Sequence, residues 1–157
     1  MTQRSVLLQA LASTPRDIER LIRAMPTDGH DWQPGGEANS ARQVLAHLLE
    51  AEMAYRHRLK RIREEDNPAL PQFDPEAAKS TPTPEESAQA LVASFTESRQ
   101  ATLHFLTELS PGEWQRSASG ARPARTTTLR YQVMDLMNHD VAHLGELVDI
   151  RVKWDSR

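Results

Sequence analysis

The 157-residue chain is 26% charged, has a formal net charge of −3 and contains no cysteine. A slightly acidic chain of this kind is not expected to bind nucleic acid through its overall charge. Without thiols it forms neither disulfides nor zinc–thiolate sites. No apolar run approaches the roughly 18 residues of a membrane span or resembles a signal peptide, so we expect a cytoplasmic protein with no membrane partner.

The first predicted element is a helix over residues 5–25, where leucine and isoleucine recur at helical spacing. Pro15 lies inside this segment and should kink the helix or mark a break, because proline has no N–H to donate. The following segment, residues 26–39, is rich in glycine, proline and aspartate and is predicted to be a loop.

The second helix has a clear predicted start. Ser40 is an N-cap candidate and Gln43 stands three residues later, which is the spacing of a capping box. The helix should continue to about Glu65. The proline-rich connection after it, residues 66–84, is long enough to carry the chain along the bundle, so that the third helix can run parallel to the second.

The third helix is predicted from its own start signals. Thr83 is the expected N-cap, and Pro84 suits the first helical position. Glu85 and Glu86 then suit the positive end of the helix dipole. The helix should end near Leu109.

The fourth helix is predicted from about Thr128 to Trp154, after a short turn at residues 110–114 and a loop over residues 115–126. Strand signals are almost absent, and no internal repeat is visible. Four amphipathic helices in a chain of this length predict an all-α fold, a four-helix bundle, as a single domain over residues 1–157.

The predicted fourth helix carries two histidines one turn apart. His139 and His143 share one flank of its apolar stripe, and Glu146 and Gln132 lie on the same flank. In the second helix His47 lies on a flank beside small alanines. Two imidazoles at i and i+4, with a third from a facing helix, can bind one divalent ion and leave positions open for substrate. The alternative is that these histidines are polar residues at the rim of the core.

Other titratable residues have more than one interpretation. Three histidines are expected to be structural or exposed: His30, His57 and His104. Glu52 and Asp140 fall inside apolar stripes, so each should either pair with an arginine or backbone donor, or orient a histidine ligand. Asp135, one turn before His139, either bonds that ring or is solvated, and we expect it to be solvated.

Three blocks of the chain, in this order, resemble the DinB/YfiT-like superfamily: "SARQVLAHLLEAEMAYRHRLKRI", "EDNPALPQFD" and "NHDVAHLGEL". The resemblance covers about residues 5–152. It implies a four-helix bundle of up-down-down-up topology and a divalent metal ion, zinc or nickel, held by His47, His139 and His143. It also implies homodimers, and a metal-dependent hydrolase or a low-molecular-weight-thiol S-transferase that acts on a small electrophile.

Many relatives have glutamine where this chain has Glu146, which leaves three roles open for the carboxylate: a fourth metal ligand, a general base or a residue at the rim of the site. The chain has no cysteine, so a thiolate nucleophile would have to come from a small thiol cofactor. The alternative to an enzyme is a non-catalytic metal-binding stress-response protein, or a protein whose function is dimerisation.

Overall fold

The computed structural model describes residues 2–72, 82–120 and 126–157, so parts of the predicted proline-rich connection and of the loop before the fourth helix lie outside the described residues. Within these ranges the chain forms four long helices: α1, Gln3–Ala24; α2, Ala41–Glu64; α3, Ala88–Thr107; and α4, Leu129–Asp155. The predicted all-α class and four-helix bundle are therefore confirmed. None of the described helices combines the length and apolar composition needed to cross a membrane.

α1 passes through its proline without ending there. Of the two outcomes expected at Pro15, the break is therefore wrong. Because proline has no N–H, Pro15 leaves the carbonyl of Leu11 without its helical donor. Arg99 from α3 supplies a donor instead, with its Nη1 2.9 Å from the Leu11 oxygen. A contact between two helices thus replaces the hydrogen bond that is missing within one.

α2 begins as predicted. The Ser40 hydroxyl accepts a hydrogen bond of 3.3 Å from the Gln43 N–H, and the Gln43 side-chain oxygen accepts one of 2.9 Å from the Ser40 N–H. This capping box satisfies two backbone donors at the start of the helix. It therefore fixes the first turn of the helix that carries His47.

Replacing Ser40 with alanine should lower the free energy of unfolding by about 1 kcal/mol, because the Gln43 N–H loses its acceptor. Urea denaturation of the two proteins measures the difference. Ser13 provides the matched control, since it is exposed within α1 and, among the described residues, its hydroxyl bonds only a carbonyl of its own helix. Equal losses in Ser40→Ala and Ser13→Ala would contradict the capping role.

α3 begins one turn later than predicted. Its N-cap is Ser87 and not Thr83, since the Ser87 hydroxyl accepts a hydrogen bond of 3.2 Å from the Ala90 N–H. Residues 85–87 are exposed, and burial begins at Ala88. An earlier start would bury no further apolar surface to offset the entropy of ordering another turn.

The loop predicted over residues 115–126 contains strand structure that the sequence did not reveal. β1 (Ser117–Ser119) pairs antiparallel with β2 (Thr126–Thr128), directly before α4. The Ser119 carbonyl also accepts a hydrogen bond of 2.9 Å from the N–H of Leu70, which is buried. The small sheet thus joins the segment after α2 to the start of α4.

The contacts between α2 and α3 show that these helices run parallel. Arg42 near the start of α2 lies 3.4 Å from the Glu86 carbonyl, just before α3. Further along, Arg56 donates a hydrogen bond of 2.7 Å to the Ser98 carbonyl. The residue numbers rise together, as predicted for a long connection between the two helices.

The remaining contacts show antiparallel neighbours. Along α2 and α4, Tyr55 bonds Asp135 and Arg58 bonds Gln132, so the number rises in one helix as it falls in the other. α1 and α3 follow the same rule, through the contacts Arg4–Leu106 and Leu11–Arg99. These directions agree with an up-down-down-up topology.

Two apolar clusters fill the bundle, with a polar layer between them. The first cluster includes Leu11, Tyr55, Leu59, Leu106 and Leu136, and the second includes Ile18, Leu45, Leu48, Phe95 and Leu147. Between the two, each helix contributes a buried polar residue: Thr14, Glu52, Arg99 and Asp140. The polar layer therefore crosses the whole bundle.

Candidate metal centre

Three buried histidines from two helices meet beside the polar layer. The ring centroids lie 5.0 Å apart for His47 and His139, 4.6 Å apart for His47 and His143, and 4.4 Å apart for His139 and His143. Each ring offers one nitrogen such that the three nitrogens lie within 4.8 Å of one another. The structure thus brings together the three histidines that the sequence singled out.

The closest approach is between Nε2 of His47 and Nε2 of His139, at 3.0 Å. Two imidazoles lie this close when the N–H of one donates a hydrogen bond to the nitrogen of the other, or when both nitrogens face one cation. Burial is the main cause that lowers the pKa of His139, to about 3, so its ring is neutral near neutral pH. Neutral imidazole is the form that binds a metal ion.

The donor set fits a divalent metal. Three imidazole nitrogens without a thiolate suit ions such as zinc and nickel. The buried Nδ1 of His139 has no hydrogen-bond partner within the described ranges. Such an atom is uncommon in a folded protein. Because Nε2 of the same ring faces His47, Nδ1 cannot also face an ion bound between the two rings, and an ordered water would account for it.

Glu146 lies beside the histidines but is not among the possible ligand atoms that cluster there. Its Oε2 accepts a hydrogen bond of 2.7 Å from Nδ1 of His143. This contact occupies one of the two ring nitrogens of His143. A ligand role for His143 therefore falls to its Nε2.

A tyrosine–aspartate pair adjoins the histidines. The Tyr55 ring centroid lies 6.1 Å from that of His139, and the Tyr55 hydroxyl donates a hydrogen bond of 2.7 Å to Asp135. Asp135 is half-buried and bonded, so the expectation that it is solvated is wrong. Burial first, and then the bond to Asp135, raise the pKa of Tyr55 well above its usual value, so the phenol keeps its proton. Tyr55 stands at helical spacing with the apolar residues Leu59 and Ile62, which is a signal for its burial but not for its partner.

Arg99 is the partner of both buried carboxylates. Its guanidinium donates to Glu52 at 3.0 and 2.7 Å, and to Asp140 at 2.7 and 3.0 Å. Thr14 donates a further bond of 3.0 Å to Asp140. Together with the bond to the Leu11 carbonyl, these contacts use all five N–H groups of the guanidinium. Of the two alternatives left open for these carboxylates, the structure shows the pairing with an arginine.

Arg99 itself is the residue that the sequence analysis missed. Apolar or small residues recur at helical spacing on either side of it: Val92, Phe95, Thr102 and Leu106. This spacing places position 99 on the buried face of α3, and it is the signal that would have identified a buried arginine. Because Asp140 follows His139 directly, the network anchors the turn of α4 that carries this histidine.

The other predicted polar residues lie away from the three rings or have separate partners. Gln132 is buried, and its side-chain oxygen accepts a hydrogen bond of 2.8 Å from Arg58. His30 is buried with its Nε2 3.2 Å from a backbone carbonyl of α1, whereas His57 and His104 are exposed. The expectation that these three histidines are structural or exposed is confirmed.

A groove of about 500 Å³ lies between α1 and α3. Its lining includes Ile22, Val92 and Thr96 and contains none of the three site histidines. The histidines belong to the opposite pairing of the bundle, α2 with α4. This groove therefore does not provide the substrate pocket of the histidine site.

The protein is thus a four-helix bundle in which α2 and α4 together contribute three histidines that could hold a metal ion. The family model of the DinB superfamily matches residues 10–147. The chain belongs to the DinB superfamily, as the three sequence blocks predicted.

Several solved structures share this fold. YfiT from Bacillus subtilis, described as a probable metal-dependent hydrolase with an unusual four-helix bundle topology, has a TM-score of 0.82 and 18% identity, over 96% of this chain and 87% of that chain. A DinB-like protein from Bacillus subtilis, YjoA, has a TM-score of 0.67 and 16% identity, over 95% and 92% of the two chains. A conserved protein from Enterococcus faecalis has a TM-score of 0.74 and 14% identity, over 100% and 99%. No curated protein matches the sequence.

Proposed function

We propose that the protein binds one divalent metal ion, zinc or nickel, through His47, His139 and His143, and that it is a metal-dependent enzyme. The observation that carries this proposal is the meeting of three buried imidazoles, at centroid distances of 4.4 to 5.0 Å, from two separate helices. Histidines that only line the rim of a core have no reason to converge in this way, because burying three imidazoles together costs free energy unless each finds a partner.

The proposed reaction is hydrolysis of a small substrate, or transfer of a low-molecular-weight thiol to a small electrophile. When bound, a divalent ion supplies Lewis acidity, which polarises the electrophile or activates a water or thiol as nucleophile. Three protein ligands leave coordination positions open for these molecules. The chain has no cysteine, so a thiol nucleophile would be a separate small molecule.

The surrounding side chains favour a reactive site over a purely structural one. Tyr55 and Asp135 place a protonated hydroxyl and a half-buried carboxylate beside His139. Glu146, which bonds His143, has about a third of its side chain exposed, so the site reaches the protein surface. The description of YfiT as a probable hydrolase favours the hydrolytic alternative. Sequestration of a metal without catalysis is the rival function, since it needs the same ligands.

Turnover by the zinc- or nickel-loaded protein should stop when a chelator removes the ion and return when the ion is restored. The assay follows acid release from small esters and amides, and thiol consumption with several small thiols and electrophiles. His143→Ala should be inactive, whereas His104→Ala, which changes an exposed histidine of α3, should keep full activity. Activity that survives chelation would contradict the proposal, and tight binding with no turnover would favour sequestration.

Four further expectations stay predictions: a single domain over residues 1–157, a small-molecule substrate, homodimer formation and a cytoplasmic location. Light scattering of the purified protein measures its mass in solution and so tests the homodimer. The result of this measurement does not bear on the proposed metal site, because all three proposed ligands come from one chain.

A further inference from the structure

The carboxylate of Glu146 is held against one nitrogen of a site histidine. Its Oε2 lies 2.7 Å from Nδ1 of His143, a length typical of a charge-assisted hydrogen bond. The two residues are three apart on α4, so one turn of helix sets their spacing. The His143 side chain is only 7% exposed and that of Glu146 is 34% exposed. The bond is therefore formed at the boundary between the buried site and solvent.

This bond decides which nitrogen of His143 can bind an ion. An ionised carboxylate only accepts hydrogen bonds, so Nδ1 carries the proton of the neutral ring. Nε2 then keeps its lone pair. The ring also lies within 4.6 Å of both other site histidines, measured between centroids.

We propose that Glu146 is a positioning residue of the metal site. Its carboxylate fixes the tautomer and orientation of His143 and makes Nε2 a stronger electron-pair donor to the ion. It neither binds the ion nor accepts a proton from substrate. The role rests on the metal site proposed above. To act as a ligand or base through the same oxygen, Glu146 would have to give up its bond to His143 and leave a buried N–H without an acceptor. Carboxylates that bond the outer nitrogen of a ligand histidine are known to orient the ring and raise its basicity.

The test compares zinc affinity in the wild type and three variants by competition with a chromophoric chelator. Glu146→Ala should weaken zinc binding by about 10- to 100-fold, the usual effect of removing such an outer contact. The zinc affinity of Glu146→Gln should lie between those of the wild type and Glu146→Ala, because the glutamine amide oxygen still accepts a hydrogen bond from Nδ1 but carries no charge. Asp149→Asn is the matched control, since Asp149 is exposed on the same helix and pairs only with Lys153 among the described residues. Its affinity should equal that of the wild type.

Two further readouts separate a positioning role from the alternatives. The absorption spectrum of bound Co²⁺ should keep its intensity in Glu146→Ala, because the number of ligands is unchanged. The melting temperature of the metal-free variants should stay close to that of the wild type, which shows that the affinity loss is not a folding defect.

Three results would overturn the role of Glu146. Equal zinc affinity in Glu146→Ala and the wild type would show that the contact does not support the site. A changed coordination number in the Co²⁺ spectrum would make Glu146 a ligand. Normal affinity with lost turnover in Glu146→Gln would make it a base. A wild type that binds no zinc, nickel or cobalt would instead remove the proposed metal site itself.

Discussion

Replacing Arg99 with methionine should lower the free energy of unfolding by about 3–5 kcal/mol, the usual cost of removing one partner from a buried ion pair. Arg99 is fully buried, and so are the carboxylates of Glu52 and Asp140 that it bonds. Methionine fills a similar volume but donates no hydrogen bond. Two carboxylates would then lie buried near each other with no opposite charge to offset their desolvation.

Urea denaturation in the presence of a chelator measures this loss without any contribution from bound metal. Arg99→Lys should recover only part of it, because an ammonium group cannot bond two carboxylates and a carbonyl in the planar arrangement of a guanidinium. Arg56→Met is the control, since Arg56 is half-buried and bonds Ser98 and Thr102. A variant at position 99 that is as stable as the control would show that the buried network does not stabilise the bundle.

Replacing His47 with alanine should remove nearly all bound zinc. The loss of affinity should exceed the about 10- to 100-fold loss expected for Glu146→Ala, because His47 itself binds the ion. His47 is the one histidine of the three that comes from α2, so its loss leaves two ligands on a single helix. The measurement is the zinc content of the purified, zinc-loaded protein after gel filtration. The wild type should carry one equivalent and the variant almost none.

The control for this experiment is His104→Ala, because His104 is three-quarters exposed on α3 and pairs with Glu108. It should keep one equivalent of zinc. Circular dichroism should show that both variants are helical, so that a missing ion cannot be attributed to unfolding. Equal zinc content in His47→Ala and the wild type would exclude His47 from the ligand set.

The helices were predictable from the sequence because local signals and tertiary burial agree there. The capping box of Ser40 and Gln43 marks the start of α2, and the Thr128 hydroxyl caps α4 by accepting from the Tyr131 N–H. α3 shows where local signals fail. Thr83 and Ser87 are both good caps by residue type, and only the burial that begins after Ser87 selects between them.

The histidine group was predictable in part. The spacing of His139 and His143 suggests a shared ligand face, but a partner 92 residues away in the chain cannot be derived from spacing. His47 was assigned through its flank position and the resemblance to the DinB/YfiT-like superfamily. The sequence does not decide what Glu146 contacts, because a side chain three residues after His143 can point at the ion, at the His143 ring or at solvent.

The contacts of Arg99 and Leu11 show what the sequence could not reveal. A proline in a helix predicts a missing hydrogen bond, but not that an arginine 88 residues away supplies the donor. The same guanidinium pairs with carboxylates on two other helices, so its environment exists only when all four helices are packed. Tyr55 is similar, because its burial follows from apolar spacing whereas its bond to Asp135 depends on how α2 meets α4.

The most direct test of the metal site is a crystal structure of the zinc-loaded protein, with data collected on both sides of the zinc absorption edge. We expect a single anomalous peak about 2.0–2.1 Å from one nitrogen of each of His47, His139 and His143. A peak bound to other residues would contradict the account, and so would three rings that bond only to one another with no ion between them.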